Sequence, residues 1–549
     1  MLPVAPSVSS ESFAAVCRDL VERILDGELE RSELEGAKLD ACSEHGAAQV
    51  PKNADLLDHA PDGRRDELAE VVRRKPVRTA SGVAPVAIMT SPENCPHGQC
   101  VYCPGGPDSE FSSAQSYTGE EPAAARAEQN EYDPYGQVTL RLNQLRHIGH
   151  PVEKVELIVM GGTMTARSHD YQSWFVKRAL QAMNEFDPDA DPRPAEDRSF
   201  AQSFDEYDFE PIEATIAKNE TGRVRNVTTT FETKPDWCGP TQIDRMLELG
   251  VTKVEVGVQT THPEVLDRVG RGHDLDDSIA ANRRLRDAGF KVGFHMMPGL
   301  PGHDERAIAT DFRRIFESER WRPDYLKIYP TLVVEGTVLY DQWQRDEFDP
   351  LTSERAAELV ADAKARIPEY TRLSRVQRDI PAGLIDAGVQ KSNLRQLARQ
   401  RLDASGRSCD CIRCREVGMA DEEPDAVELR TTTYDVAGGT EHFLQAAGVD
   451  RDALIGFARL REPGTVARPE LDDAAVLREL HVYGSQVGIE TESSGWQHRG
   501  WGGRLLDRAE RIAGEVGYDR LAVLAGIGAR EYYRDRGYRQ DGPYCVIDT

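Results

Sequence analysis

The 549-residue sequence has few lysines and no long apolar run. Of its 67 basic residues only 12 are lysines, and none follows Lys391. No apolar stretch approaches the roughly 20 residues that a membrane-spanning helix needs, which argues against a membrane protein. The first residues, MLPVAPSVSSESF, lack the basic and apolar parts of an export signal. We therefore expect a cytoplasmic protein, whose ten cysteines lie in a reducing compartment.

Acidic residues are in large excess. The 94 Asp and Glu residues give a formal net charge of −27, and they are spread from Glu11 to Asp548. Hydrated carboxylates with scarce lysine are typical of proteins in concentrated salt, where repulsion between like charges is strongly screened. The alternative, an acidic surface for a basic partner, predicts one concentrated acidic block. The even spread favours salt adaptation.

The length predicts several domains. Six short apolar runs between Val83 and Val333 alternate with amphipathic stretches, which predicts a partial (β/α)6 barrel with ligands at the C-terminal ends of its strands. The acidic, proline-containing stretch from Phe186 to Gly222 interrupts this alternation and predicts a surface insertion. We assign a helical region, a barrel, a polar linker and a final α/β unit to residues 1–80, 81–367, 368–424 and 425–549.

Three cysteines lie in one short loop, CPHGQCVYC, after the first predicted strand. The thiolates of Cys95, Cys100 and Cys103 can hold three irons of a [4Fe–4S] cluster and leave the fourth iron open to S-adenosylmethionine (SAM). The first gap is one residue longer than in the common CxxxCxxC spacing. The alternative is a zinc site completed by His97.

The next predicted strand ends in MGGT, where paired glycines let the backbone approach a bound amino-acid group closely. In this turn and in the cysteine loop, the region resembles the radical-SAM family. Glu255 and Gln259 alternate onto one face of the predicted strand VEVGVQT and could reach the same ligand, although they could instead be satisfied core groups. Glu232 and Thr233 are weaker candidates. The residues assigned to SAM are Gly161, Gly162, Thr163, Glu255 and Gln259.

A second cysteine cluster, CDCIRC, follows the barrel. The CxCxxC spacing of Cys409, Cys411 and Cys414 predicts a structural zinc site with a fourth ligand from elsewhere. The alternative is a redox dithiol. The isolated cysteines are expected to be small buried thiols, and they are Cys17, Cys42, Cys238 and Cys545.

A glycine-rich turn, QHRGWGGR, precedes an amphipathic helix in the last unit. Free amides at a helix start can bind a pyrophosphate. In this turn and in the order of its elements, the unit resembles the Gcn5-related acetyltransferases. The resemblance implies an acetyl-CoA site, with Tyr532 or Tyr533 near the thioester sulfur. The implied acetyl-CoA contacts are Glu479, Leu480, His481, Val482, Gln497, His498, Arg499, Gly500, Gly502, Gly503, Arg504 and Tyr533.

The three motif sets occur in the order of the catalytic subunits of Elongator, which the chain resembles from KPVRTASGVAPVAIMT to YYRDRGYRQDGPY. We identify it as an archaeal, salt-adapted member of that family. The resemblance implies that a 5′-deoxyadenosyl radical activates the methyl group of acetyl-CoA. The resulting carbon radical would add to C5 of the wobble uridine of tRNA, and thioester hydrolysis would leave a carboxymethyl group.

The resemblance also implies that Lys154 binds acetyl-CoA from the barrel side. We therefore expect the acetyl end to point into a cleft that Lys154 shares with the cluster. The expected partner is tRNA, and a homodimer is compatible with the sequence. The candidate tRNA contacts are Arg73, Arg74, Lys75, Arg78, Lys391, Arg395, Arg399 and Arg401.

Two other functions are compatible with parts of the sequence. A protein lysine acetyltransferase with a structural cluster would leave the SAM-like loop and barrel unexplained. A non-catalytic tRNA-binding scaffold with decayed sites would not need intact CPHGQCVYC and QHRGWGG motifs. The sequence therefore favours the tRNA-modifying enzyme.

Overall fold

The computed structural model describes residues 8–73, 79, 81–187, 204, 211–419, 424–450, 452–484 and 499–549. These residues form two sheets surrounded by helices. The helices, α1 to α18, are Val8–Leu25, Leu34–His45, Asn53–Leu57, Arg65–Val72, Pro122–Gln129, Pro134–His147, His169–Glu185, Glu213–Glu220, Pro240–Glu248, Pro263–Arg268, Leu275–Asp287, Glu305–Glu317, Val338–Gln344, Ser353–Lys364, Leu394–Ala404, Ile412–Arg415, Trp501–Glu515 and Arg530–Arg534.

The strands fall into two groups of seven. The first seven, β1 to β7, are Ala84–Met89, Lys154–Met160, Arg225–Thr233, Lys253–Gln259, Lys291–Met296, Tyr325–Ile328 and Arg372–Arg375. The other seven, β8 to β14, are Val427–Val436, Gly439–Gly448, Leu454–Glu462, Ala474–Val482, Arg520–Val523, Arg539–Asp541 and Tyr544–Asp548.

The N-terminal helices α1 to α4 pack around a core of their own. Val16, Leu20, Leu56 and Leu68 are buried in it, as the three- and four-residue spacing of apolar side chains predicts. Arg73 follows α4 and donates from Nε to the carbonyl oxygen of Gly149, 2.7 Å away. This bond ties the N-terminal helices to the barrel.

Strands β1 to β7 form one parallel sheet in chain order, and helices cover its outer side. The predicted partial barrel is therefore confirmed. It has seven strands, one more than predicted, because β7 lies in the stretch assigned to the linker. The sequence of β7, RLSR, is only four residues long and carries two arginines, so it lacks the apolar run that marks the other strands.

The expectation of an aperiodic insertion does not hold as far as Gly222. Residues 213–220 form α8, which buries Thr215, Ile216 and Asn219 against the barrel. Asn219 Nδ2 donates to the carbonyl oxygen of Val224 at 3.0 Å, fixing the start of β3. Most of the acidic stretch before α8 lies outside the described residues.

The second sheet has the order β13-β14-β12-β11-β10-β9-β8, and only β11 and β12 in it are parallel. Their pairing runs from Ala474 with Arg520 to Leu477 with Val523, where β12 ends. Beyond that point β11 continues to Val482 and stays paired with β10. The two parallel strands thus separate, so β12 does not pair with residues 479–482. This α/β unit confirms the predicted C-terminal domain.

A buried charge network joins the two sheets. Asp324, at the start of β6, contacts Arg286 at 3.1 Å and Arg478 at 2.8 Å. Arg461 of β10 pairs with Asp287 at 2.6 Å. All side chains of this interface network are fully buried, and they are Arg286, Asp287, Asp324, Glu441, Arg459, Arg461 and Arg478.

Candidate active site

The cysteine loop lies after β1, at the C-terminal mouth of the barrel. Cys100 and Cys103 are buried and Cys95 is half-buried, and all three are free thiols. The backbone N–H of Ser116 donates to Cys103 Sγ at 3.1 Å. Arg271 Nη1 lies 3.9 Å from Cys100 Sγ, so a buried cation faces the thiols. Burial raises the pKa of the Cys95 thiol, and that of the Cys103 thiol to about 11, although Arg271 opposes the shift at Cys95 and the Ser116 N–H opposes it at Cys103. The bound metal would therefore have to favour the thiolates that both proposed metal groups require.

The spacing of the thiols fits a cluster better than a single ion. His97 Nε2 lies 3.2 Å from Cys100 Sγ, as the zinc alternative would have it. Yet in the described part of the chain no three of these four side chains bring their ligand atoms within 4.8 Å of one another. A zinc ion needs such close ligands, whereas a cube of iron and sulfur spreads them apart.

The Gly-Gly turn after β2 lies beside the cysteine loop. Gly161 and Gly162 have φ of 108° and 69°, which favour glycine. A Cβ on Gly161 would lie 2.5 Å from Thr90 Oγ1, and one on Gly162 would lie 3.9 Å from Cys95 Sγ. Thr163 Oγ1 is 3.6 Å from the same sulfur. The turn thus presents bare backbone to the cysteine loop, as predicted.

These residues line one pocket with the ends of β3, β4 and β5. Its empty volume is about 1080 Å³, including space open to solvent. Gln259, at the end of β4, has φ 68° and is buried, and its Oε1 has no hydrogen-bond partner in the described structure. That orphaned acceptor faces the pocket and is suited to an ammonium or amide donor of a ligand.

Glu255 lies in the same pocket but its carboxylate is already paired. It contacts Lys327, Lys253 at 3.2 Å and His295 at 3.0 Å. Burial opposes ionisation, but Lys327 and Lys253 hold the pKa of Glu255 well below its usual range. The Glu255 carboxylate is therefore used by partners inside the barrel, and it is less available to SAM than Gln259 is.

The two further SAM candidates are also engaged. Tyr117 donates to Glu232 Oε2 at 3.0 Å. The hydroxyls of Thr233 and Thr165 lie 2.5 Å apart. Both side chains line the pocket, but their polar atoms are bonded to neighbouring residues of the pocket wall.

An unbroken row of charges runs through the barrel from this pocket. Lys327 bridges Glu232, at 2.9 Å, and Glu255. Lys253 bridges Glu255 and Glu156, at 3.2 and 3.1 Å. We call Glu156, Glu232, Lys253, Glu255 and Lys327 the interior ladder. Its residues come from four strands. The sequence did not predict these pairs because partners on different strands lie far apart in the chain.

The lower end of the ladder reaches the second sheet. Lys253 Nζ lies 4.2 Å above the ring of Tyr325, and Tyr325 donates to Glu479. Glu479 lines a second pocket between the amino ends of the barrel strands and the separated strands β11 and β12. Lys291 lines it as well, and burial lowers the pKa of Lys291 to about 8. Lys291 was not predicted, although it is one of the few lysines.

The second pocket holds several of the predicted acetyl-CoA contacts. Its walls include Glu479, Leu480, His481 and Tyr533, with an empty volume of about 440 Å³. His481 Nε2 contacts the carbonyl oxygen of Ser81 at 3.1 Å, so this ring is engaged with the barrel. Val482 ends β11 and lies beside the first turn of α17, since a Cβ on Gly502 would reach it at 3.7 Å.

The glycine turn precedes α17 as predicted, although Gln497 and His498 lie outside the described residues. Gly500 has φ 77°, which favours glycine. A Cβ on Gly502 would lie 3.1 Å from Tyr532 Oη, whereas one on Gly503 would meet nothing within 4 Å. Exposed Arg499 and Arg504 flank the turn, and the guanidinium of Arg504 lies over the ring of Trp501 at 4.5 Å.

The two tyrosines differ in their surroundings. Tyr533 is buried, lines the second pocket, and has a pKa raised by burial. Tyr532 is half-buried, and its buried hydroxyl has no hydrogen-bond partner in the described structure. Tyr533 therefore faces the second pocket, while Tyr532 faces the glycine turn.

Lys154 lies far from the cysteine loop, which corrects the expectation of a shared cleft. It begins β2, whereas the Gly-Gly turn follows the end of that strand. Six residue steps of a strand place them roughly 20 Å apart. Lys154 pairs in register with Arg225, which contacts Glu531 of the C-terminal domain at 3.1 Å. Lys154 thus lies at the acetyltransferase end of the barrel.

The second cysteine cluster lies where the barrel meets the C-terminal sheet. Ligand atoms of Cys409, Cys411 and Cys414 lie within 4.8 Å of one another, as one metal ion requires. Lys364 Nζ is 3.4 Å from Cys414 Sγ. The backbone N–H of Ile412 donates to the carbonyl oxygen of Thr371, joining the cluster to β7.

The predicted tRNA contacts do not form one exposed face. Arg74, Lys75 and Arg78 lie outside the described residues, and Arg73 donates inward as described above. Arg395 likewise turns inward and donates to the carbonyl oxygens of Leu373 and Ser374. The remaining three are exposed but paired with carboxylates, and they are Lys391, Arg399 and Arg401. Sequence reasoning missed two arginines that line the mouth pocket, Arg375 and Arg378.

Three family models match the chain. The ELP3 N-terminal domain matches residues 13–80, the Radical SAM superfamily matches residues 89–315, and the Radical_SAM C-terminal domain matches residues 323–404. The chain is 44% identical to the tRNA uridine(34) acetyltransferase of Methanocaldococcus jannaschii, with 97% of each chain covered.

The chain belongs to the Elp3 family. It is also 39% identical to Elongator complex protein 3 of Danio rerio, covering 97% of this chain and 96% of that one. The solved structure of an N-terminally shortened Elp3 from Methanocaldococcus infernus matches with a TM-score of 0.72 at 40% identity, covering 85% of this chain and all of that one. A radical-SAM domain implies a [4Fe–4S] cluster and SAM. Within the described residues, no helix is both long and apolar enough to cross a membrane.

Proposed function

We propose that this member of the Elp3 family modifies the wobble uridine of tRNA in the cytoplasm. It would use SAM radical chemistry and acetyl-CoA to place a carboxymethyl group on C5 of the base. One observation carries the proposal: the pocket at the cysteine loop and the pocket at the acetyltransferase strands lie at the two ends of one barrel in one chain.

At the mouth, Cys95, Cys100 and Cys103 would hold the cluster. When bound, the cluster supplies the electron that cleaves SAM and so starts the radical chemistry. The bare backbone of Gly161 and Gly162 allows the amino-acid end of SAM to approach the cysteine loop. Gln259 Oε1 would accept a hydrogen bond from the ligand, because this buried acceptor otherwise has no partner.

At the other end, acetyl-CoA would bind between the glycine turn and the separated strands. Amides at the start of α17 would bind the pyrophosphate, while backbone groups of residues 479–482 would pair with the pantetheine arm where β11 has separated from β12. Tyr533 would position the thioester, and Lys154 would contact the ligand from the barrel side. Tyr532 would serve the phosphate end, since its free hydroxyl faces Gly502.

The tRNA would enter at the mouth, where Arg375 and Arg378 line the pocket. Exposed Lys391, Arg399 and Arg401 would contact the phosphate backbone, in exchange for their present carboxylate partners. Arg74, Lys75 and Arg78, which lie outside the described residues, stay proposed tRNA contacts.

Reconstitution tests the proposed function directly. The purified chain is loaded with iron and sulfide without oxygen, then incubated with SAM, acetyl-CoA, tRNA and a chemical reductant that supplies the electron, and the released nucleosides are analysed by mass. We expect carboxymethyluridine that depends on all three substrates. Acetylated lysine in a protein substrate, formed without SAM, would instead support a lysine acetyltransferase.

Gly502→Trp is expected to weaken acetyl-CoA binding by at least tenfold. The Cβ alone would lie 3.1 Å from Tyr532 Oη and 3.7 Å from Val482. The larger indole would therefore crowd the glycine turn, where the amides are proposed to bind the pyrophosphate. Calorimetric titration with acetyl-CoA measures the loss. Gly514→Trp is the matched control, because it puts the same side chain on the exposed last turn of α17. Equal affinity in Gly502→Trp and the parent would refute this site.

Cys411→Ser is expected to remove one zinc per chain. Cys411 is fully buried in the cluster, and a metal that closes so short a loop stabilises a segment with little core of its own. Metal analysis and thermal unfolding measure both effects. Cys42→Ser, an isolated thiol in α2, should keep the metal. A parent protein without zinc would contradict the structural site.

A further inference from the structure

Three side chains outside both pockets form a compact group of metal-ligating atoms. His262 follows β4, His303 lies in the loop after β5, and Asp311 is on α12. One ligand atom from each lies within 4.8 Å of the others. The three residues are 8 to 49 positions apart in the sequence. The C-terminal ends of the adjacent strands β4 and β5 bring them together.

The buried members of this group have unused ligand atoms. His303 is 6% exposed and Asp311 is 1% exposed. Neither ring nitrogen of His303 has a hydrogen-bond partner in the described structure, and the same holds for Asp311 Oδ2. Leaving such groups unsatisfied costs free energy, so each calls for an explanation.

The geometry between these atoms is that of two ligands on one ion. His303 Nε2 and Asp311 Oδ2 are 3.0 Å apart, yet they do not form a hydrogen bond with each other in the described structure. Two atoms bound at about 2.1 Å to one metal ion lie roughly 3.0–3.4 Å from each other, with both lone pairs aimed at the ion. His262 Nε2 lies 3.8 Å from Asp311 Oδ1.

The surroundings orient the ligands as a metal site requires. Asp311 Oδ1 accepts from the backbone N–H of Thr261 at 2.7 Å and from its hydroxyl at 2.5 Å, which leaves Oδ2 free. His262 Nδ1 contacts Glu264 Oε1 at 3.2 Å, the carboxylate–histidine arrangement common behind metal ligands. His262 Nε2 contacts the carbonyl oxygen of Ala307 at 3.2 Å, a contact that the ring would give up on binding the ion. The His262 side chain is 14% exposed, so water can reach the site.

We propose that His262, His303 and Asp311 bind a divalent transition-metal ion such as zinc. Two imidazoles and one carboxylate suit zinc, iron or cobalt, with an open position for water. The ion ties the loop after β5 to α12 and to the end of β4. From those strand ends Gln259 and Met297 line the mouth pocket, and the backbone N–H of Met297 donates to Gln259 O at 2.8 Å. The ion therefore braces one wall of that pocket.

Equilibrium dialysis of the metal-stripped full chain against buffered zinc tests the proposal. His303→Ala should bind one zinc per chain fewer than the parent. Cys411→Ser should lose a different zinc, so the double variant should lose two. His169→Ala, an exposed histidine at the start of α7, is the matched control and should bind as the parent does. Equal zinc binding by His303→Ala and the parent overturns the proposal.

Asp311→Asn separates a metal site from a buried hydrogen bond. The amide oxygen can still accept from Thr261, while its NH2 group replaces Oδ2 and can donate to His303. Both proteins are compared in the Cys411→Ser background, so that zinc at the cysteine cluster does not contribute. There Asp311→Asn should leave the unfolding temperature without metal unchanged, should lose most of the stabilisation that zinc gives the background protein, and should bind zinc at least tenfold more weakly. Equal stabilisation of both proteins by zinc would overturn the proposal, whatever the fate of His303→Ala.

Discussion

Replacing Cys95, Cys100 and Cys103 together with alanine is expected to abolish the formation of 5′-deoxyadenosine from SAM. The three thiols are the cluster ligands in our proposal, and without them no electron can reach the sulfonium. The loss should be complete within detection, because reductive cleavage has no other route in this chain. Chromatography of the quenched reaction with SAM and a chemical reductant measures it.

The fold should survive this change, since alanine keeps most of the volume of each thiol and the buried Tyr102 of the same loop is unchanged. Cys42→Ala with Cys545→Ala is the control, because both thiols are buried and belong to neither cysteine cluster. This control should keep iron and SAM cleavage. Cleavage at the parent rate by the triple variant would disprove the assignment of the cluster.

Local motifs explain why much of the molecule could be predicted. The cysteine loop, the Gly-Gly turn and the QHRGWGGR turn each place their functional atoms within about ten residues. The barrel strands carry apolar runs that a parallel sheet buries on both faces, as in KVEVGVQ of β4, whose residues are all buried. Chain order and local chemistry therefore sufficed for the two sheets and for their turns.

Charge pairs between distant residues could not be predicted in the same way. Lys327 and Glu232 are 95 positions apart, and Arg478 and Asp324 are 154 positions apart. A polar residue on a buried strand signals that a partner exists, but not which one. Three arginines on the apolar strands β10 and β11 were such a signal, namely Arg459, Arg461 and Arg478.

The position of Lys154 shows a different limit. Its role came from family resemblance, which transfers a contact but not the distance to another site. Lys154 begins β2 and the Gly-Gly turn follows the end of β2. The sequence therefore already placed Lys154 and the Gly-Gly turn at opposite ends of a parallel sheet. The structure makes that separation explicit and puts Lys154 with the acetyltransferase unit.

The interior ladder gives this separation a physical consequence. Each of its charges is paired with the next, from Glu232 at the mouth to Lys253 above Tyr325. Removing one member would leave its neighbours with one partner fewer inside the barrel, so the ladder holds the barrel wall in one arrangement. Both pockets are therefore built on the same rigid row of side chains.

Asp324→Asn is expected to lower the free energy of unfolding by about 3–5 kcal/mol, the usual cost of leaving buried charges without their partner. Asp324 accepts from Arg286 and Arg478 and from the backbone N–H of Val292 at 2.9 Å. Asparagine keeps the volume but removes the negative charge between guanidiniums. Denaturant unfolding in concentrated salt measures the loss. Asp276→Asn, an exposed partner of Arg320, is the control and should change stability by less than about 0.5 kcal/mol.

The parent and Asp324→Asn should also differ in how their free energy of unfolding depends on pH. Burial opposes ionisation of Asp324, but Arg286, Arg478 and Arg459 hold its pKa well below the ordinary value. A carboxyl with a lowered folded-state pKa stabilises the fold above its unfolded-state pKa of about 3.9, and that contribution is lost as the pH falls toward the folded-state pKa. The difference in unfolding free energy between the parent and Asp324→Asn should therefore be constant from pH 8 to pH 5 and shrink below pH 4. A difference that stayed constant down to pH 2 would show that the carboxylate charge does not hold the two sheets together.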